Sequence, residues 1–342
     1  MSSKPIFSKP MSGKPVTSKQ VFSSEDAIRL RKSLPAMDFR NLHPPSKLQQ
    51  SYCDYYGLNF GDSQHTVAHH IGTLTSTDFL LVCQYFQLPI EVQRGTIFML
   101  HGYFDHVGLF GHLISHCLLS GYSVVTFDLP GHGLSSGVQA SISSFGQYSA
   151  ALLDCMELAH AEVNFPWILV GQSTGAAVIV DALLEHQLAV RFDIDKYILL
   201  APLLRPHGWF RSNILFQATR WFLNSTPRKF SRNSHDEEFL KFLQYNDPLQ
   251  SRILQKDWVI AMIDFQRRFA RCLKGKQVLH IIQGSADGTV DWQFNIMQIA
   301  AKFPASKTYM ITDAGHHLVN ESKPYRERVF SVIDEILAID NE

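Results

Sequence analysis

The chain has 342 residues, of which 45% are hydrophobic, and 31 Lys+Arg balance 31 Asp+Glu. That is enough apolar material for one large domain with an insertion, or for two smaller ones. The missing basic excess argues against nucleic acid as the main partner. Cys53, Cys83, Cys117, Cys155 and Cys272 are odd in number and widely spaced, so they read as reduced core residues in a cytoplasm-like compartment rather than a disulfide framework.

The chain opens with "MSSKPIFSKPMSGKPVTSKQ", which carries Lys4, Lys9, Lys14 and Lys19 at a regular interval. It lacks the apolar core of a secretory signal. Residues 1–50 are expected to form a disordered Lys/Pro/Ser-rich tail, with a small basic docking arm as the functional alternative. Further on, "VAHHIGTL" and "FLLVCQYFQL" flank "TSTD" and predict an antiparallel hairpin. The charge-poor runs "GTIFML", "YSVVTFDL", "PWILVG", "KYILLA", "QVLHIIQG" and "KTYMIT" predict strands covered on both faces.

Helical periodicity occupies the intervals, in "GHLISHCLLS", "SFGQYSAALLDCMELAHAEV", "STGAAVIVDALLEHQL", "WQFNIMQIAAKF" and "KPYRERVFSVIDEILAI". Strand and helix in alternation predict the α/β class, with right-handed crossovers and a mostly parallel sheet. The alternation breaks once, after "LLAPLLRP". The expected division is a core of residues 51–204 and 275–342 interrupted by a helical cap at 205–274. No run reaches the roughly eighteen apolar residues of a membrane-spanning helix.

In "ILVGQSTGAAVIV", Gly171, Ser173 and Gly175 form G-x-S-x-G between a strand and a helix. The bare triplet is a weak signal, but its context predicts a nucleophile elbow, a sharp turn that exposes the serine hydroxyl. The bland alternative is an ordinary helix N-cap. A serine nucleophile needs a base and an orienting acid, expected in the order Ser, Asp/Glu, His at later strand ends. Asp287 follows "VLHIIQG". The pair His316 and His317 follows "KTYMITDAG", and the local turn alone leaves the choice between the two open.

Asp291 is expected in the first turn of the next helix and Asp313 in a loop-holding role, which leaves Asp287 as the acid. The oxyanion donors are expected at the backbone N–H of Thr174 and of Tyr103. His101 is read as structuring its loop. His112 with His116, and His65 with His69 and His70, lack companions for a metal set. "GHGLSSG" is read as a turn at Gly131, His132 and Gly133 rather than a phosphate loop.

At this point the motifs resemble a known family. "HGYFDHVGLFGHL", "FDLPGHGLSSG", "GQSTGA", "GSADGTVD" and "AGHHLVNE" are similar, in order, to the motifs of the monoacylglycerol lipase and lysophospholipase-like serine hydrolases. The resemblance implies an α/β-hydrolase fold, no cofactor or metal, and hydrolysis of carboxylic esters bearing one acyl chain. It places the nucleophile at Ser173, the acid at Asp287, the oxyanion donors at Tyr103 and Thr174, and, counting back from Glu321, the base at His316. The chain departs from the pattern at Gln172, where the family usually has His, and at Asp105, where it has Glu. His317 stands where the family often has an acid.

Two other readings stay open: a proline-iminopeptidase-like amidase, with "HDEE" at 235–238 receiving a free amino terminus, and a non-catalytic ligand-binding homologue. In the cap, Phe210, Ile214, Ala218 and Trp221 form a stripe, and Lys196 to His235 contains no Asp or Glu. This suits either a contact with an anionic membrane surface or a helix packed on the body. The expected partner is a small acyl ester or lipid, and the expected location is cytoplasmic or peripheral at a membrane. Nothing in the residues specifies an oligomeric state.

Overall fold

The computed structural model describes residues 21–60 and 66–339. Its first elements fall where a disordered tail was expected. Helices α1 (Ser24–Ser33) and α2 (Lys47–Tyr56) each start with a capping box, Ser23 with Asp26 and Ser46 with Gln49. These boxes satisfy orphan N–H groups at both helix starts. The lysine-proline pattern ends by residue 20, and beyond it Phe22, Leu30, Tyr52 and Tyr55 provide buried apolar area. The expected tail therefore gives way to packed structure after residue 20, and the lysine-rich portion lies outside the described residues.

The hairpin of β1 (Ala68–Ser76) and β2 (Phe79–Gln87) pairs in register from Ala68↔Gln87 to Ser76↔Phe79. Next come β3 (Gly95–Leu100), α3 (Gly111–Leu119), β4 (Tyr122–Phe127), α4 (Phe145–Ala159), β5 (Trp167–Gln172), α5 (Thr174–Glu185), the short α6 (Leu188–Arg191) and β6 (Ile194–Leu200). The alternation then breaks for α7 (Trp209–Thr219), β7 (Ser225–Pro227), α8 (Glu237–Lys241), β8 (Ile253–Gln255) and α9 (Lys256–Arg271). It resumes with β9 (Leu279–Gly284), α10 (Trp292–Lys302), β10 (Lys307–Ile311) and α11 (Lys323–Leu337).

Eight strands form one sheet in the order β1-β2-β4-β3-β5-β6-β9-β10. From β4 onward every neighbouring pair is parallel, and the hairpin is antiparallel at one edge. The central strands read as unbroken apolar runs because both faces are covered. In β5, Trp167 and Leu169 enter one core cluster, with α4, α5 and α9. Ile168 and Val170 enter the other, with α1, α2, α3 and α11.

Two parts of the segment expected as a cap behave differently from each other. Helix α9 packs on the body: Trp258, Met262, Phe265 and Phe269 are buried, Phe265 stacks on Phe145 at 4.7 Å, and Arg268 pairs with Asp181 of α5 at 2.6 Å. Its apolar face, spaced at the helical period, has the α4–α5 surface to bury against. Helix α7 buries none of its residues fully. Trp209 and Phe216 lean on the core, whereas Phe210 and Ile214 of the expected stripe are exposed, with Trp221 and Phe222 just beyond the helix. The stripe is thus not the face that packs on the body.

Candidate active site

The constellation sits at the carboxyl ends of the parallel strands, where crossover loops of an open α/β sheet converge. Ser173 stands between β5 and α5 with φ 54° and ψ −109°, and its N–H bonds to Leu200 O of β6 at 2.8 Å. This sparsely populated conformation turns the chain directly from strand into α5. The glycines make room for it: a Cβ on Gly175 would stand 2.4 Å from Leu100 O, and one on Gly171 would stand 2.6 Å from Ala176 N.

His316 bridges Ser173 and Asp287. Its Nε2 is 3.0 Å from Ser173 Oγ, and its Nδ1 is 2.7 Å from Asp287 Oδ2. Asp287 also accepts hydrogen bonds from Gln283 Nε2 at 3.0 Å and from the N–H of Thr289 at 2.8 Å and Val290 at 3.2 Å. Burial alone would push this carboxyl up, but the imidazole and these donors hold it below its ordinary range. Burial likewise presses His316 toward neutrality. The carboxylate of Asp287, its hydrogen bond and the more distant Asp105 outweigh that pressure and raise the imidazole above 6.5. Ser173 keeps 8% of its surface exposed, and His316 and Asp287 5% each. Such near closure strengthens electrostatic interactions among the three.

Thr174 is the first residue of α5, so its N–H has no acceptor within the helix. The loop carrying Tyr103 is held against Ser173: a Cβ on Gly102 would lie 3.4 Å from Ser173 Cβ. The Tyr103 ring stacks on Trp258 of α9 at 3.7 Å, and its hydroxyl donates to Ala140 O at 2.7 Å. His101 accepts from Leu129 N–H through Nε2 at 2.9 Å and donates from Nδ1 to Gly102 O at 2.8 Å. Burial lowers it to about 3, so it is a neutral brace of the loop.

The other candidates are placed elsewhere. Asp291 caps α10 and pairs with Arg205 at 2.7 Å. Asp313 ties its loop through its N–H to Ser285 Oγ at 2.8 Å. His116 pairs with Asp334, and His69 bonds to Gln84. His317 is buried with Nε2 3.2 Å from Asp105 Oδ1, which brings two of the departures from the family pattern into one pair.

Sequence reasoning missed three supports. Gln172 donates to His316 O at 2.8 Å, holding the histidine loop from the residue before Ser173. Glu321, used only to count positions, is fully buried and accepts from Gly315 N–H at 2.6 Å and from His235 N–H at 2.8 Å. Asp247 accepts from Tyr56 of α2 at 2.8 Å and pairs with His106 at 2.9 Å, joining the N-terminal helices to the Tyr103 loop. A buried carboxylate calls for such partners, but their separations of 141 and 191 residues leave no local pattern to read.

Comparison with known proteins gives a consistent picture. A family model described as serine aminopeptidase, S33, matches residues 91–323. A monoglyceride lipase homolog of monkeypox virus is 26% identical over 136 residues, covering 40% of this chain and 48% of that protein. The monoglyceride lipase of Mus musculus is 23% identical over 270 residues, covering 75% and 85% respectively. Among solved structures, a soluble variant of monoglyceride lipase from Saccharomyces cerevisiae, in complex with a substrate analog, superposes with a TM-score of 0.68 at 17% identity. It covers 80% of this chain and 96% of that one. The eight-stranded sheet and these likenesses establish the α/β-hydrolase fold.

The electrostatics of His316 can be measured directly. Its NMR titration midpoint is expected above the ordinary imidazole value, and to fall in Asp287→Asn, because burial is then opposed only by the more distant Asp105. An unchanged midpoint in the variant would contradict the assigned cause.

Proposed function

The protein belongs to the serine aminopeptidase S33 family, whose model matches more than half of the chain, and on that premise we propose that it is a carboxylic ester hydrolase acting on a monoacyl lipid through an acyl-enzyme on Ser173. The observation that carries this reading is the hydrogen-bond chain Ser173–His316–Asp287 at a nucleophile elbow. His316 Nε2 takes the proton from Ser173 Oγ as the oxygen attacks the ester carbonyl. The imidazolium so formed is stabilised by Asp287, and the oxyanion is held by the N–H groups of Tyr103 and Thr174. His316 then returns its proton to the leaving alcohol, and a water repeats the sequence to release the fatty acid.

Ser173→Ala and His316→Ala are each expected to lower kcat by about 10⁴ to 10⁶, and the double variant little further, because the groups act as a unit. His317→Ala is expected to keep turnover within about tenfold, since it touches Asp105 rather than Ser173. Turnover lost in His317→Ala but kept in His316→Ala would reverse the assignment. Fluorophosphonate labelling of the wild type, absent in Ser173→Ala, checks the nucleophile and excludes a non-catalytic homologue.

The family description keeps an aminopeptidase in view. An amidase would need carboxylates free to receive an amino terminus, and "HDEE" supplies few. Asp236 caps α8, Glu237 pairs with Arg232, and His235 is held by Glu321. Comparison of p-nitrophenyl esters of several chain lengths with aminoacyl-anilides is expected to show turnover of the esters. Activity confined to the anilides would sink the esterase reading.

Lipid substrates arrive at a surface, and α7 suits one: Phe210, Ile214 and Leu215 are exposed beside Arg211, with Trp221 and Phe222 following. Sedimentation with anionic vesicles is expected to carry the wild type down and to leave a Phe210→Ser, Trp221→Ser, Phe222→Ser variant in the supernatant. Equal sedimentation of both would remove α7 from this role.

A further inference from the structure

Within the cap segment lies a cavity of about 350 Å³, lined by residues between 228 and 245 that include Arg228, Phe230, Arg232, Asn233, Lys241 and Tyr245. Two of its lining residues, Arg228 and Asn233, touch the two loops of the site. The Arg228 guanidinium lies 4.0 Å over the ring of Phe104, next to Tyr103, and Asn233 O accepts from His317 N–H at 2.9 Å. Arg228 is sandwiched by Phe230, whose ring it covers at 4.5 Å, and Arg252 lies over the same ring at 5.0 Å.

Among the described residues, the charge of Arg228 has no counterion of its own. Its Nη1 donates to Gln250 Oε1 and Ser251 O, and among the described residues no carboxylate lies within ion-pair distance of it. The carboxylates that it feels at longer range, Asp105 and Asp247, are held by His317 and His106. Burial and Arg252 press its pKa down to about 10, against the pull of Asp105. Glu237, also on the cavity wall, pairs with Arg232 and leaves Lys241 as a second cation without an ion pair among the described residues. A half-buried guanidinium is costly without an anion, and its planar fork matches a phosphate.

We infer that this cavity is the head-group subsite of the enzyme and that it takes the phosphate of a monoacyl glycerophosphate, with Arg228 as its main contact and Lys241 at the rim. The inference rests on the esterase reading above and narrows its substrate class. The link to the site is Arg228 itself, whose guanidinium lies over Phe104, the neighbour of the proposed oxyanion donor Tyr103. Arg228 is thus a specificity-determining residue, distinct from the groups that move protons.

The test uses the full chain and a matched pair of soluble short-chain substrates, 1-hexanoyl-glycerol 3-phosphate and 1-hexanoylglycerol. The quantity read is the ratio of their kcat/KM values, in which a general loss of activity cancels. In the wild type the phosphate ester is expected to be favoured by about tenfold or more, and in Arg228→Gln the ratio is expected to fall by about tenfold or more, with Arg228→Lys between. A wild-type ratio of one or below, or a ratio unchanged in Arg228→Gln, overturns the assignment.

If Arg228→Gln does not fold, the wild-type ratio and its fall in Lys241→Gln decide. Inorganic phosphate provides the remaining arm. Inhibition of 1-hexanoylglycerol hydrolysis by phosphate, with no preference for the phosphate ester, would make the cavity a free-phosphate site and overturn the substrate assignment. Fluorophosphonate labelling of Ser173 in the same samples separates a failure of this inference from a failure of the esterase reading.

Discussion

A serine backbone held at φ 54° and ψ −109° costs about 1–3 kcal/mol, and the surrounding structure must over-determine it. Here the restraint comes from both sides. Ser173 N–H is bonded to β6, its carbonyl accepts from the N–H groups of Ala177 and Leu203, and Gly175 lets α5 pass against Leu100. The buried parallel sheet supplies the rigid frame for this turn. The other site loops leave the same sheet edge, so their approach to Ser173 depends on that frame.

Burial then sets the chemistry of those loops. Around the elbow, three buried carboxylates each face an imidazole: Asp287 with His316, Asp105 with His317, and Asp247 with His106. Burial alone would drive each of these carboxyls toward its neutral form. Paired, each ties together segments far apart in the chain. Asp105 with His317 joins the loop after β3 to the loop after β10, and Asp247 with His106 and Tyr56 joins the cap segment, the β3 loop and α2. The residues that support the proposed base are therefore electrostatic as well as steric partners, and Gln172 and Glu321 extend the same logic to the histidine loop.

The cap segment divides by how its apolar residues are satisfied. Helix α9 finds α4 and α5 and becomes part of the body, although chain position alone groups it with the insertion. Helix α7 sets Trp209 and Phe216 against the core but leaves other aromatic residues in solvent, the condition under which an exposed apolar patch calls for an external partner. Between the two, the half-buried Arg228 shows the converse case, a charge whose described surroundings supply aromatic faces and amide groups but no carboxylate within ion-pair distance.

The sequence by itself determined the strand and helix alternation, because a period of two or 3.6 and a run of charge-free residues are local properties. It determined the elbow for the same reason, since glycine, serine and glycine act within one turn. The chain order of Ser173, Asp287 and His316 also located three residues that the structure brings into hydrogen-bond contact. It misjudged residues 21–50, where a lysine-rich beginning masked the capping boxes and aromatic residues that follow. Only the tertiary structure decided that α9 joins the body, that Asp105 meets His317, that Gln172 reaches His316, and that Arg228 has no ion pair among the described residues. Each of these depends on a contact across tens to hundreds of residues, and the free energy of a buried charge or an apolar face is set by which neighbour the fold delivers.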